Sequence, residues 1–134
     1  MKKIFIAFGH HNVSGSFNSQ IRDTFINEAE KLGHTIDLVN LFDEKEYLPF
    51  YNSNLNPPPK LVIDYRNRLE NCDIMFLIGS CNNLRLNSIL ENWVDWVLHP
   101  KWFFSYKSVM PDNKFFKNYG YTVPGAMKGK LGIV

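Results

Sequence analysis

The sequence predicts an open α/β fold on a parallel sheet, and three observations predict it. Two solid apolar runs, Lys3–Phe8 and Asp73–Gly79, have the character of strands buried on both faces. The stretch from Phe17 to Leu32 repeats apolar residues at helical intervals. Strand, helix and strand then follow one another between Lys3 and Asn40, an order that closes as a parallel crossover unit.

Along the chain, Lys3–Phe8 is bounded by Gly9 and forms the first strand. Phe17, Ile21, Phe25, Ala29 and Leu32 recur at spacings of four, four, four and three, which predicts a helix. Ser14 or Ser16 is available as its N-cap and Gly33 as its stop. "HTIDLVN" (His34–Asn40) reads as the second strand, and "NPPPK" (Asn56–Lys60) ends a loop and prepares a second helix, Leu61–Glu70. The third strand, Asp73–Gly79, is apolar enough to belong in the middle of the sheet. "LNSILENWVDWVL" (Leu86–Leu98) predicts a third helix burying Ile89, Leu90, Trp93, Val94 and Val97, and His99–Pro100 terminates it. The aromatic segment Lys101–Pro124 shows no clear periodicity, and "MKGKLGIV" (Met127–Val134) leads into a fourth strand. There is no internal repeat and no low-complexity tract.

A length of 134 residues suits one domain, 1–134, and the 45% hydrophobic and 21% charged content is that of a globular chain. A net charge of +2 without a Lys/Arg cluster argues against nucleic acid or a membrane surface as partner. No apolar run approaches the roughly 20 residues that span a bilayer, and Gly9-His10-His11 interrupts the only candidate leader. A cytoplasmic protein is expected. Cys72 and Cys81 flank one predicted strand, so about 30 Å separates them, too far for a disulfide. Free thiols in a reducing compartment are the expectation.

The chemistry points to the first loop, Gly9 to Ser16. In open parallel sheets ligands sit beyond the carboxyl ends of the strands, and this loop leaves the first strand there. It runs into a helix N-terminus, where unpaired amides and the helix dipole favour an anion. Ser14, Ser16 and Asn18 add donors and Gly15 allows close backbone approach, so a phosphate-bearing ligand fits. A helix start of this kind also needs a cap for its own sake, and the loop is neither GxGxxG nor GxxxxGK[ST]. His10 and His11 can hydrogen-bond a phosphate or simply pack half-exposed at a strand end. No third ligand at a recognisable spacing joins them, so no metal is expected.

These stretches carry a resemblance in chain order. "GHHNVSGSFN" with "GHTIDLVNL" resembles the start of the flavodoxin-like NAD(P)H:quinone reductase family, whose first loop reads roughly G/A-H-P-x-x-x-S-F-N. That family includes the mammalian quinone reductases and the bacterial general-stress and Kef-ancillary oxidoreductases. "SILENWVDWVLHPKWFFSY" and "GAMKGKLGIV" are similar to later motifs of the same family. The resemblance implies a flavodoxin-like open sheet of order 2-1-3-4. It implies that His10, Ser16, Phe17 and Asn18 contact the phosphate or pyrophosphate of FMN or FAD, with Phe17 also seating the helix. The loop Gly79 to Leu84, including Ser80, Cys81, Asn82 and Asn83, would face the isoalloxazine ring. NAD(P)H would be the co-substrate, a quinone, azo compound or similar acceptor the oxidant, and the assembly a homodimer.

Three departures from the family pattern stand out. Its aromatic wall after the third strand is replaced by the polar "GSCNNLRL", which forgoes stacking worth on the order of 1 kcal/mol. His11 stands where the family has Pro, with one extra residue before Ser-Phe-Asn. The family also continues for roughly a further third of its length, with a fifth strand and the last helices. An incomplete domain is therefore expected, its fourth strand a bare edge that a partner chain would cover. The alternative reading is a flavin-free structural or regulatory subunit, or one half of a split enzyme. A redox role for Cys81 is a weaker idea, because no basic neighbour or resolving partner accompanies it.

Overall fold

In a computed structural model the described residues are 1–99, 102–108, 112, 114 and 120–134. Four parallel strands form the main sheet: β1 (Lys3–Gly9), β2 (Thr35–Asn40), β3 (Ile74–Gly79) and, last in the chain, β8 (Leu131–Ile133). Their order is β2-β1-β3-β8, the order expected from the sequence. β1 is buried from Ile4 to Gly9 because it is paired on both edges, Ile4 facing Ile36 of β2 and Ile74 of β3. β8 pairs with β3 through Ile74–Leu131 and Phe76–Ile133.

Strand alternation sends the two halves of β1 to opposite faces. Phe5 and Ala7 join Val39, Met75 and Leu77 under helices α2 (Lys60–Glu70) and α3 (Ser88–Val97). Phe5 stacks on Trp93 at 5.9 Å between centroids, and Tyr65 meets the same indole edge-on at 5.8 Å. Ile4, Ile6, Phe8 and Ile78 face the other way, toward α1 (Phe17–Lys31). With one helix on one face and two on the other, the chain reverses direction across the sheet between β1 and β3.

Ser16 is the N-cap of α1, and a reciprocal capping box binds it to Ser19 at 2.9 and 3.0 Å. Gly33 follows the C-cap with a φ of +77°, as a helix-terminating glycine should. The apolar stripe of α1 is rotated from the expected one. Phe17 and Leu32 are 76% and 74% exposed, Ile21 is exposed as well, and Ser19, Arg22 and Ala29 are the buried positions. Phe17 therefore does not seat the helix. Phe25, Ile26 and Ala29 do, two of them positions of the expected stripe, together with Arg22, whose guanidinium lies 4.4 Å over the Phe8 ring with Nη1 donating to Asn40 Oδ1 at 3.1 Å. A long cationic side chain buries apolar stem as well as charge, which a hydrophobic count does not register.

The third helix also differs in detail. It starts at Ser88 with Asn87 as N-cap, because Leu86 is taken up in a hairpin of β4 (Cys81–Asn82) and β5 (Arg85–Leu86). Trp96 is buried, whereas Ile89 and Val94 are only half-buried. The helix ends at Val97, with Leu98 as C-cap, and Pro100 of the expected stop lies outside the described residues. Within the aromatic segment, β6 (Phe104–Ser108) and β7 (Gly120–Pro124) pair antiparallel from Phe104–Pro124 to Ser108–Gly120. No helix among the described residues is long and apolar enough to cross a membrane.

Candidate functional site

The chain reversal between β1 and β3 puts the carboxyl ends of these strands, Gly9 and Gly79, side by side in register. Two loops leave from these adjacent residues. The first, from His10 to Ser16, holds the candidate phosphate ligands, and the second, from Ser80, forms the β4–β5 hairpin. The topology thus brings the two candidate groups, far apart in sequence, to one end of the sheet.

In the first loop Asn12 N donates to His10 Nδ1 at 3.1 Å. The same Nδ1 lies 3.2 Å from Asn12 O, so this nitrogen meets both a donor and an acceptor of Asn12. The ring stacks on His11 at 4.5 Å, and His11 in turn meets Phe42 edge-on at 6.3 Å. His11 is therefore held between the face of His10 and the ring of Phe42. Ser16 Oγ is engaged, accepting from Ser19 N and donating to Asn12 O at 3.0 Å. The cap thereby uses the amides of Ser16 and Ser19, while those of Phe17 and Asn18 take no part in it. Together with the positive helix end and the left-handed Gly15 (φ +89°), whose missing Cβ would meet nothing within 4 Å, this donor set fits a phosphate.

The second loop is polar and open. Cys81, Asn82 and Asn83 are exposed and Ser80 half-buried. Asn83 and Leu84 turn the hairpin with φ values of 53° and 63°, which leaves Leu84 97% exposed at the tip. Arg85 pairs with Glu91 of α3 at 3.0 Å and anchors the returning arm.

Asn87 was not among the residues singled out from the sequence. It is 8% exposed, its Nδ2 donates to Gly9 O and lies 3.2 Å from Ser80 Oγ, and its Oδ1 accepts from Leu90 N at 3.2 Å. An asparagine directly before the apolar repeat of α3 is a legible cap signal, but its reach to Gly9 is not. Among the described residues no group of three His, Cys, Asp or Glu is placed to hold a metal ion.

A family model described as a flavodoxin-like fold matches residues 2–133. The chain belongs to this flavodoxin-like family. Among solved structures it is similar to Smu.1420 from Streptococcus mutans, at 21% identity and a TM-score of 0.75, over 97% of this chain and 64% of that one. It is similar to an FMN-dependent NADH-azoreductase from Bacillus anthracis, solved with FMN, at 16% identity and a TM-score of 0.69, over 98% and 66%. A third is an NAD(P)H:quinone oxidoreductase from Methanothermobacter marburgensis, at 19% identity and a TM-score of 0.65, over 72% and 53%. The flavodoxin-like chain thus spans about half to two thirds of these neighbours' lengths. No curated protein matches its sequence.

Proposed function

We propose that this flavodoxin-like chain binds a flavin, FMN or FAD, and serves an NAD(P)H-dependent oxidoreductase acting on a quinone or azo acceptor in the cytoplasm, as a homodimer or with a partner chain along β8. One observation carries the reading: a donor-rich helix N-terminus and a second loop leave adjacent residues, Gly9 and Gly79, at the point of chain reversal. That is where this sheet topology seats a phosphate at one loop and the attached ring at the other. Fold neighbours that include an FMN-dependent NADH-azoreductase and an NAD(P)H:quinone oxidoreductase support it.

When bound, the flavin supplies the two-electron chemistry between nicotinamide and acceptor. The chain's residues bind and orient. The Phe17 and Asn18 amides, the Asn18 side chain and His10 would hold the phosphate, with Ser16 fixing the loop through its cap. Ser80, Cys81, Asn82 and Asn83 would offer polar contacts to the ring edge. Phe17, exposed beside the helix start, would lie against the ligand rather than the sheet.

A second reading, a flavin-free structural subunit or one part of a split enzyme, is favoured by the polar, open β4–β5 hairpin, which gives a ring no aromatic wall. A visible absorption spectrum, followed by titration with FMN and with FAD, separates the two. A bound-flavin band that bleaches on addition of NADH or NADPH upholds the oxidoreductase. Absence of a band, together with unquenched flavin fluorescence throughout both titrations, rejects it in favour of the second reading.

A further inference from the structure

We infer that Asn87 is a positioning residue that sets the separation of the phosphate loop from the ring loop; this rests on the flavin reading above. One side-chain amide ties three segments together. Its Oδ1 caps α3 through Leu90 N, its Nδ2 donates to Gly9 O where the first loop begins, and the same nitrogen lies 3.2 Å from Ser80 Oγ where the second begins. The bridge spans 78 positions of sequence to Gly9 and only seven to Ser80.

The space for this bridge is built into β3. A Cβ on Gly79 would stand 3.2 Å from Asn87 Nδ2 and 3.1 Å from Gly9 O, tighter than ordinary van der Waals contact. The same Cβ would collide with the Leu90 side chain, so a glycine at this position leaves room for Leu90 and the Asn87 amide together. No other short side chain does all three jobs. Aspartate accepts but does not donate, and serine caps a helix but lacks the second arm that reaches Gly9. The cap and the bridge are therefore separable by substitution.

The test compares the full chain with Asn87→Ser, Asn87→Asp and Asn87→Ala. It reads FMN dissociation by fluorescence quenching, thermal stability, and amide hydrogen exchange in 9–13, 79–84 and α3. Asn87→Ser keeps the α3 cap, so exchange in α3 and most of the thermal stability are retained. Its FMN binding falls about tenfold, the effect of one lost buried hydrogen bond, and exchange quickens in both loops together. Asn87→Asp, which sets a carboxylate against Gly9 O, binds FMN at least as weakly as the serine variant. Asn87→Ala loses stability as well. The inference is overturned if Asn87→Ser binds FMN like the parent with both loops unchanged, since Asn87 is then only a cap. If the parent itself binds no FMN, the flavin reading fails and the exchange data still decide. Joint loosening of both loops in Asn87→Ser upholds the positioning role, and unchanged loops reject it.

Discussion

Gly9 and Gly79 face each other in register at the ends of β1 and β3, and the side chain of Leu90 fills the space that a Cβ on either would need. The first turn of α3 can sit this close to the sheet only because both strands end in glycine. Gly79→Ala should therefore destabilise the protein by about 1–3 kcal/mol in urea unfolding, the usual range for overpacking. The same substitution in a Leu90→Ala background should cost distinctly less, because the hardest contact is gone and only the milder ones to Gly9 O and Asn87 Nδ2 remain. Equal costs in the two backgrounds would show that the helix yields without strain.

Arg22 is 7% exposed, a charged residue standing in an apolar interface. Its Nε pairs with Asp23 at 2.7 Å, its Nη1 with Asn40, and its guanidinium with the face of Phe8. Arg22→Ala should cost about 2–3 kcal/mol, since it removes stem burial, the ring contact and a charged hydrogen bond together. Arg22→Met, which keeps the stem, should fall between the parent and alanine. Matched urea unfolding curves for the three proteins check the order.

Acid should weaken the junction between the chain start and β3. Lys3 N donates to Asp73 Oδ2 at 2.8 Å, and this bond, aided by Lys2 Nζ at 3.3 Å from Oδ1, holds the carboxyl below its ordinary range. The folded value is thus lower than the unfolded one. The contribution is complete above the unfolded value, about 3.9, and is lost as pH falls through the folded one. Unfolding measured between about pH 2.5 and 6 should show parent and Asp73→Asn converging as the solution becomes more acid. A constant gap across that range would mean that the carboxylate is not selectively stabilised.

The two thiols should separate cleanly. Cys72 is buried, its Sγ 3.1 Å from Leu69 O, and burial pushes its thiol up, whereas Cys81 lies exposed on β4. Iodoacetamide should add one label quickly, at Cys81, and a second only after unfolding, as mass spectrometry of native and urea-treated samples would show. Two fast labels on the native protein would contradict the burial of Cys72.

Much of the framework was legible because local pattern and global placement agree. β1 and β3 are solid apolar runs of strand length, each ending in glycine, which is the pattern of a doubly buried strand. The Ser16 cap and the Gly33 stop are local chemistry that the fold leaves alone. The face of α1 was legible in part: Ala29 is buried and Phe25 meets Phe76 edge-on at 4.7 Å, as the stripe predicts, whereas the apolar residues at 17, 21 and 32 are exposed and an arginine, Arg22, is buried in their stead. On α3, Val94 and Trp96 are both apolar, so periodicity could not choose which is buried. The β4–β5 hairpin, with two residues in each strand, is too short to leave a period.

For the candidate site, sequence located both loops and the cap residue but not what joins them. The bond from Asn87 to Gly9 depends on two strands becoming neighbours through pairings made far along the chain. No local signal encodes such a contact. The edge-on contact of His11 with Phe42 is of the same kind, since Phe42 follows a different strand.

The central place of β1 has a consequence in time. Its partner residue for Ile4 in β3 is Ile74, seventy positions later, and both edges of the strand must be filled before it is buried. At synthesis rates of roughly 5–20 residues per second, that gap lasts about 4–14 s. For those seconds the nascent chain carries one of its most apolar segments, Ile4 to Phe8, with β2 alone available to shield an edge. Parallel pairing across long connections is slow to close in any case. This order of assembly leaves the growing polypeptide with an uncovered apolar run well before its sheet exists.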